Sequence, residues 1–322
     1  MSWRAVLWLW AWLGALAFGG GVRADDGAAE PPRYLAPAAE RAALVAHLDR
    51  LRRAEHSDAN ARRIALIEAN LARRAQLPDD LGRRFVLVDI AGFAVSRHGP
   101  DPGQVVRHRA VMGRRDHATP AFADRIEYVV FNPAWEMTRS MAAAEILPKL
   151  RADPGYLARH GYHLLRGWRD PVRVDPETVD WQGVDPGRFP YRVIRAPLGG
   201  NPLGRVKIMF PNAHHIYIHD TPERWDFNRA ERALSAGCAR VEAALALVEW
   251  LLAPQGWRPA ETAAVLAGRT PQRVDLAAPV PVYLVYWTLR VRADGRLEGR
   301  DDLYGRDPAG AAGATGVDDS GA

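Results

Sequence analysis

The sequence predicts a mainly β domain that also carries α-helices, preceded by a pair of helices and interrupted by a helical insertion. Three observations predict it. Between positions 38 and 75 apolar residues recur at helical spacing, first Leu44, Leu48 and Leu51, then Ile64, Ile67 and Leu71, each set forming one face of an amphipathic helix. From position 85 the pattern changes to period two and short apolar runs punctuated by glycine and proline, as strands and turns require. Between about 135 and 200 the strand pattern lapses, and it resumes after 205.

The elements follow in order. Positions 1–24 hold Arg4, an apolar run of 14 residues from Ala5 to Phe18, and small residues up to Ala24, which reads as a signal peptide cleaved after about Ala24. The run is shorter than the roughly 20 residues a membrane span needs. Trp8, Trp10 and Trp12 suit a membrane interface, so an uncleaved leader would make transient membrane contact. Positions 25–37 read as a linker. The helical segment 38–80 is broken at His56-Ser57-Asp58, so the second helix is capped near Ser57 or Asp58, and both helices are expected to pack on the main domain.

That domain is set at 81–305. Strands are expected at 85–90, 93–96, 105–112 and 125–131, with a turn over Gly99-Pro100-Asp101-Pro102-Gly103. Helices are expected at 142–150 and 155–160, and the stretch 167–200, rich in Pro, Gly, Trp and Asp, reads as loop. Strands return at 205–210 and 216–219, a helix at 241–252, and a long strand at 282–292 closes the domain. The tail, 306–322, is mostly Gly, Ala and Asp and reads as disordered.

Composition narrows the function. With 48% hydrophobic and 25% charged residues the chain has the balance of a globular protein. The net charge of +5 comes from arginines spread throughout, Lys149 and Lys207 being the sole lysines. No arginine-rich block interleaves with aromatics, which argues against nucleic-acid binding. A mildly basic surface helps an exported protein approach an anionic polymer such as the cell wall, weakly and subject to salt screening. A single cysteine excludes an internal disulfide, and a monomer is expected.

That cysteine, Cys238, lies in Ser235-Ala236-Gly237-Cys238-Ala239-Arg240, nineteen positions after His219. An idle free thiol is a poor fit to export, although a buried cysteine acting as a small hydrophobe is common. His219 ends a strand where a loop opens, so a base and a nucleophile on two loops can meet. If 239–252 is one helix, the thiol sits at its N-terminus, where the dipole favours a thiolate. The amides of Ala236, Gly237 and Cys238 would then face an oxyanion, with Gly237 permitting the tight turn and Arg240 adding positive charge. His214, His215, His219 and Asp220 are ligand types for a metal, but strand alternation sends His214 to the opposite face from His215 and His219. No metal and no cofactor is expected. Trp135, Trp168, Trp181 and Trp225 suit sugar stacking, against packing as the commoner use of tryptophan. The stretch from Arg229 to Arg232 reads as a solvated loop face, and Thr119-Pro120 as a loop lining the groove.

The string IYIHDTPERWDFNRAERALSAGCARVE, positions 216–242, resembles the active-site signature of the YkuD-type L,D-transpeptidases, in which a His and a small loop precede Ser-x-Gly-Cys-x-Arg. Further stretches resemble the longer, lid-bearing subgroup: Phe131-Asn-Pro-Ala-Trp135, Glu145-Ile-Leu-Pro-Lys-Leu150, Asp153-Pro-Gly-Tyr156, Leu203-Gly-Arg-Val-Lys-Ile-Met-Phe-Pro-Asn212, Tyr286-Trp-Thr288 and Asp301-Asp-Leu-Tyr-Gly305. They run in order over roughly 80–305.

The resemblance implies a β-sandwich or barrel-like core with a helical lid at about 135–200. It makes Cys238 the nucleophile and His219 the proton donor and acceptor, with the Asp220 backbone orienting the imidazole. It assigns Gly237 and Ala236 to the oxyanion hole, and Arg240, Tyr217, Ser235 and Trp135 to the substrate. Two departures stand out. Many members carry a second His where this chain has Ala236, and Glu136-Met-Thr138-Arg-Ser140 lacks a proline usual near Thr138. No separate peptidoglycan-binding module is recognisable.

The implied activity is attack on the bond between the L-centre and the D-residue of a peptidoglycan stem tetrapeptide, followed by transfer of the acyl group to an amine, giving 3-3 cross-links when that amine is a diamino-acid side chain. The partners would be donor and acceptor stem peptides in the periplasm of a Gram-negative-type cell. An L,D-carboxypeptidase or wall-protein-releasing amidase shares the acyl-enzyme, and a non-catalytic wall-binding module is the rival of another class.

Overall fold

The computed structural model describes residues 34–310 apart from 102, 168, 198 and 199. The leader, most of the linker, Trp168 and the tail from 311 onward lie outside the described residues. Two helices come first, α1 (Pro37–Arg53) and α2 (Asp58–Arg74). The second starts at Ser57, whose Oγ accepts from the Asn60 amide at 3.2 Å, satisfying one of the free N–H groups of a helix start.

The main domain is a β-sheet that closes on itself. Its strands are β1 (Phe85–Asp89), β2 (Ala94–His98), β3 (Val105–Gly113) and β4 (Phe122–Phe131), then, after an insertion carrying β5 to β8, β9 (Val206–Met209), β10 (Ile218–His219), β11 (Ala233–Ser235), β12 (Ala239–Val241) and β13 (Gln272–Val285). The order β3-β12-β10-β9-β4-β13-β1-β2 returns from β2 to β3, and β11 adds to the end of β3. The closed ring leaves few free edges, the usual reason for a β-domain to form a barrel. Strand β13 lies parallel to β1 and antiparallel to β4, and its register with β4 shifts between Asp275 and Val280. Pro279, which has no N–H to give a ladder, lies inside that break.

Inward-facing residues alternate as the pleat demands: Val86 and Val88, Ile126, Val206 and Ile208, Val282 and Leu284 are almost wholly buried. Helix α6 (Ala244–Leu252) adds Leu247, Val248, Leu251 and Leu252 to the same core. Each such side chain contributes on the order of 1.5–3 kcal/mol. Helices α1 and α2 pack Leu44, Leu48, Leu66 and Ile67 on Leu289 and Val291 of β14 (Leu289–Val291), which pairs with β15 (Leu297–Gly299). Beneath them Glu40 accepts from Arg290 Nε and from the Val291 amide, both at 2.6 Å, and Asp89 accepts from Arg290 at 3.1 Å and Arg300 at 2.6 Å. Buried charges are tolerated only when paired in this way.

Several expectations change. The stretch 167–200 is not loop alone. Between β4 and β9 the insertion folds around β5 (Trp135–Glu136), β6 (Tyr162–Arg166), β7 (Val172–Val174) and β8 (Tyr191–Arg195), an antiparallel sheet of order β5-β8-β6-β7 with its own core of Leu147, Leu150, Leu164, Trp181, Phe189 and Val193. Beside it run α3 (Arg139–Met141), α4 (Leu147–Ala152) and α5 (Tyr156–Arg159). A π-turn at Ala142–Ile146 joins α3 to α4, at the point where Pro148 has no amide for the carbonyl four residues back. The stretch 282–292 is two strands, since β13 ends at Val285 and β14 begins at Leu289. Helix α7 (Pro259–Ala267) was not signalled by periodicity. The tail is ordered at its start: Asp307 accepts from Thr288 Oγ1 at 2.9 Å and pairs with Arg73 at 2.7 Å. No helix among the described residues is long and apolar enough to cross a membrane.

Candidate active site

Strand register builds the site. His219 lies opposite Lys207 on antiparallel β9 and opposite Arg240 on parallel β12. Carrying the register back one step sets Tyr217 against Cys238, and the Ala239 amide bonds the Tyr217 carbonyl at 3.2 Å. Neighbours in register share a face. The alternate residues Ile208, Ile218 and Ala239 are fully buried in the barrel. Lys207, Tyr217, His219, Cys238 and Arg240 therefore share the outer face, with Cys238 and His219 as diagonal neighbours on adjacent segments, about 7 Å apart.

The expected helix after Cys238 is absent. Residues Ala239–Val241 form β12, because Ala239 and Val241 face the core while Arg240 faces out, and α6 begins only at Ala244. No helix dipole therefore acts on the thiol. Instead burial pushes the half-buried Cys238 thiol up to about 11, opposed by the Tyr217 amide and hydroxyl and by the charges of Lys207 and Arg240. Burial likewise drives the His219 imidazole down to about 3, with the Arg240 charge adding to it. The resting pair is a neutral thiol and a neutral imidazole.

His219 Nδ1 lies 2.6 Å from the Asp220 carbonyl. A carbonyl only accepts, so Nδ1 carries the proton and Nε2 keeps its lone pair. Asp220 is itself fixed: its Oδ2 accepts the Arg205 amide at 2.9 Å, and Arg224 lies 3.5 Å from Oδ1. Gly204 (φ +58°) makes that fit possible, since a Cβ there would collide with the Asp220 carboxylate.

The nucleophile turn is held from within. Ser235 Oγ donates to the Cys238 carbonyl at 2.6 Å and accepts the Gly237 amide at 3.1 Å. This pair of bonds engages two residues expected at the substrate and the oxyanion. Ser235 is buried with its hydroxyl on the turn, and the Gly237 amide is given to Ser235 Oγ. The amides of Ala236 and Cys238 make no hydrogen bond among the described residues. Gly237, at φ +118° and with Ile216 Cδ1 3.1 Å from where a Cβ would be, supplies the turn geometry instead.

Arg240 gives its Nη1 to Glu223 at 2.8 Å and lies 3.4 Å from Asp226, so it clamps the loop after His219 and its charge is compensated there. Trp135 packs its ring into the insertion's own core, 6.5 Å from Tyr162. Its neighbour Glu136 is the residue near Lys207, held there by two bonds from Arg192 at 2.6 and 2.7 Å. Trp181 is buried and Trp225 is exposed. The His214 ring lies tilted against Phe122 at 5.0 Å, and the His215 carbonyl lies 3.9 Å from Cys238 Sγ. No group of three or more His, Cys, Asp or Glu among the described residues is placed to hold a metal ion.

Two residues brace the turn, Thr119, expected in a loop lining the groove, and Tyr304, which carried no site role in the sequence. Thr119 Oγ1 donates to the Gly237 carbonyl at 2.8 Å and accepts the Gly113 amide at 2.9 Å. Tyr304 Oη donates to the Gly113 carbonyl at 2.7 Å and accepts the Thr119 amide at 3.1 Å. For Tyr304 the available signal was its place in Asp301-Asp-Leu-Tyr-Gly305.

Fold and site together define a barrel-like β domain with one cysteine and a carbonyl-anchored histidine on a single outer face. The model of the YkuD L,D-transpeptidase catalytic domain matches residues 83–282. A Haemophilus influenzae protein, provisionally named an L,D-transpeptidase, is 36% identical over 238 residues, 74% of this chain and 47% of that protein. The chain belongs to the YkuD L,D-transpeptidase catalytic domain family. It spans about half the length of the curated relative it matches. Among solved structures, an L,D-transpeptidase from Mycobacterium smegmatis is 12% identical with a TM-score of 0.29, covering 63% of this chain and 58% of its own. L,D-transpeptidase 3 from Mycobacterium tuberculosis is 12% identical with a TM-score of 0.28, covering 63% and 60%. These superpositions are weak, and membership rests on the family match and the relative.

Proposed function

We propose that this protein is a peptidoglycan L,D-transpeptidase working through an acyl-enzyme on Cys238. The observation that carries the reading is the Nδ1–H bond of His219 to the Asp220 carbonyl, which leaves Nε2 as a proton acceptor on the face that holds the thiol. Cys238 Sγ attacks the carbonyl between the L-centre and the terminal D-residue of a stem tetrapeptide while its proton passes to Nε2. The Cys238 and Ala236 amides serve the tetrahedral oxyanion. Collapse breaks the C–N bond, and the leaving amine takes the proton from His219. An acceptor amine then attacks the thioester, gives its proton to His219 and restores the thiol. A diamino-acid side chain as acceptor gives a 3-3 cross-link.

Because thiol and imidazole rest neutral, proton transfer accompanies attack rather than preceding it. Tyr217 directs its amide and hydroxyl at the sulfur, which favours the thiolate as it forms. The leader supports export to the periplasm, where the stem peptides lie.

The test is incubation of the protein with purified disaccharide-tetrapeptide, followed by mass spectrometry. Cross-linked dimers are expected, together with a covalent carbapenem adduct on Cys238, and Cys238→Ala is expected to abolish both. Loss of the terminal residue without dimers would replace transfer by hydrolysis. Undiminished turnover in Cys238→Ala would overturn the mechanism.

A further inference from the structure

Two cations share the face of His219, and they are not equivalent. Arg240 is compensated by Glu223 and Asp226. Lys207 makes no ion pair and no hydrogen bond among the described residues. Its Nζ lies 5.4 Å from the centroid of the Tyr217 ring, and its side chain is half-buried beside Tyr217, His219 and Cys238. Glu136, the carboxylate whose charge acts on Lys207, makes no ion pair with it and is held bidentately by Arg192. A partly desolvated ammonium without a direct ion pair is costly, and this one lies on the face that carries Cys238, with its charge reaching the thiol.

Resting on the reading of the site given above, we propose that Lys207 is the anchor for a carboxylate of the donor peptide, the free carboxylate of the residue that leaves. The distances agree. That carboxylate belongs to the residue directly after the attacked carbonyl, one Cα–Cα step of about 3.8 Å. Lys207 starts one strand from His219 and two from the cysteine, and its side chain reaches roughly 6 Å. An ion pair there draws the leaving residue towards β9 and turns the scissile carbonyl to the thiol. It also selects donors that end one residue past the scissile bond, since a longer peptide has no carboxylate at that point.

The experiment compares the disaccharide-tetrapeptide bearing a free C-terminal carboxylate with the same molecule as its C-terminal amide. Wild type is expected to show a KM at least tenfold higher for the amide, with kcat within threefold. Lys207→Met is expected to raise KM tenfold or more for the acid while treating the amide as wild type does, and Lys207→Arg to restore the preference for the acid. The wild-type comparison needs no variant and stands if Lys207→Met does not fold. Indifference of wild type to amidation overturns the anchor. A loss in Lys207→Met that is equal for both substrates assigns the lysine to the thiol and also overturns it. A wild type that forms the carbapenem adduct and turns over the acid, yet shows either result, loses only the anchor. A wild type that does neither loses the reading of the site itself.

Discussion

Cys238 rests as a neutral thiol for a physical reason. Its half-buried sulfur is held up at about 11, and His219 down at about 3, so neither group is charged at neutral pH. Alkylation of Cys238 by iodoacetamide is therefore expected to be slow at pH 7 and to climb about tenfold per pH unit towards pH 11. A plateau reached below pH 8 would mean a thiolate stabilised by something the turn does not contain. Residue chemistry was the part most legible in the sequence: a lone cysteine, a histidine at a strand end and a glycine before the thiol were all visible. The roles of Ser235 and Gly237 were not, because a short polar side chain beside a turn serves loop or ligand equally well until its partners are known. In the sequence Lys207 is one of two lysines and part of a motif, and its meaning comes from its register against His219.

At the scale of elements, the nucleophile turn is held by segments far away in the chain. Tyr304 bonds both Gly113 and Thr119, and Thr119 bonds Gly237, so a residue near the C-terminal end of the domain fixes the turn that carries Cys238. Tyr304→Phe is expected to cost about 1–3 kcal/mol by leaving a buried amide and carbonyl unpaired, read from urea denaturation, and to lower kcat more than it raises KM. Unchanged stability and unchanged kcat would show that the turn holds without this brace. The stretch after Cys238 reads as a helix in the sequence because Val241, Ala244, Leu245 and Val248 fit a 3.6-residue period as well as a short strand running into a helix. Only three residues of β12 separate the two descriptions. The sheet of the insertion was hidden for a related reason, since β7 and β8 are short and lie among prolines and glycines that signal loops.

For the whole molecule, buried titratable groups tie stability to pH. His98, stacked on Phe85 at 4.2 Å, is held by burial down at about 4, and His219 at about 3. Both lie below the usual value of 6.5, so the unfolded chain takes up protons that the folded chain refuses. Stability should fall as pH drops from about 6.5 to about 4, by up to roughly 1.4 kcal/mol per histidine per pH unit. It should be insensitive to both above pH 7. Asp89, fully buried, has its carboxyl held at about 2 by Arg300, Arg290 and Arg107 against the opposing effect of burial. Its contribution is present above pH 3.8 and is lost only as pH falls towards 2. Urea midpoints from pH 7 to 4 measure this, and His98→Gln is expected to reduce the slope without abolishing it, since burial also lowers His108 and His163. An unchanged slope in that variant would place the acid sensitivity elsewhere.

By itself the sequence determined a mainly β domain, the two leading helices and the identity of the cysteine and histidine, because periodicity and residue type are local properties. Only the tertiary structure decided which residues share the site's face, since pairing β10 with β9 and β12 joins positions 207, 219 and 240. It alone showed that Glu40, Asp89, Arg290 and Arg300 form one buried charge cluster linking α1 to the barrel, because such contacts depend on ring closure between segments some 200 residues or more apart.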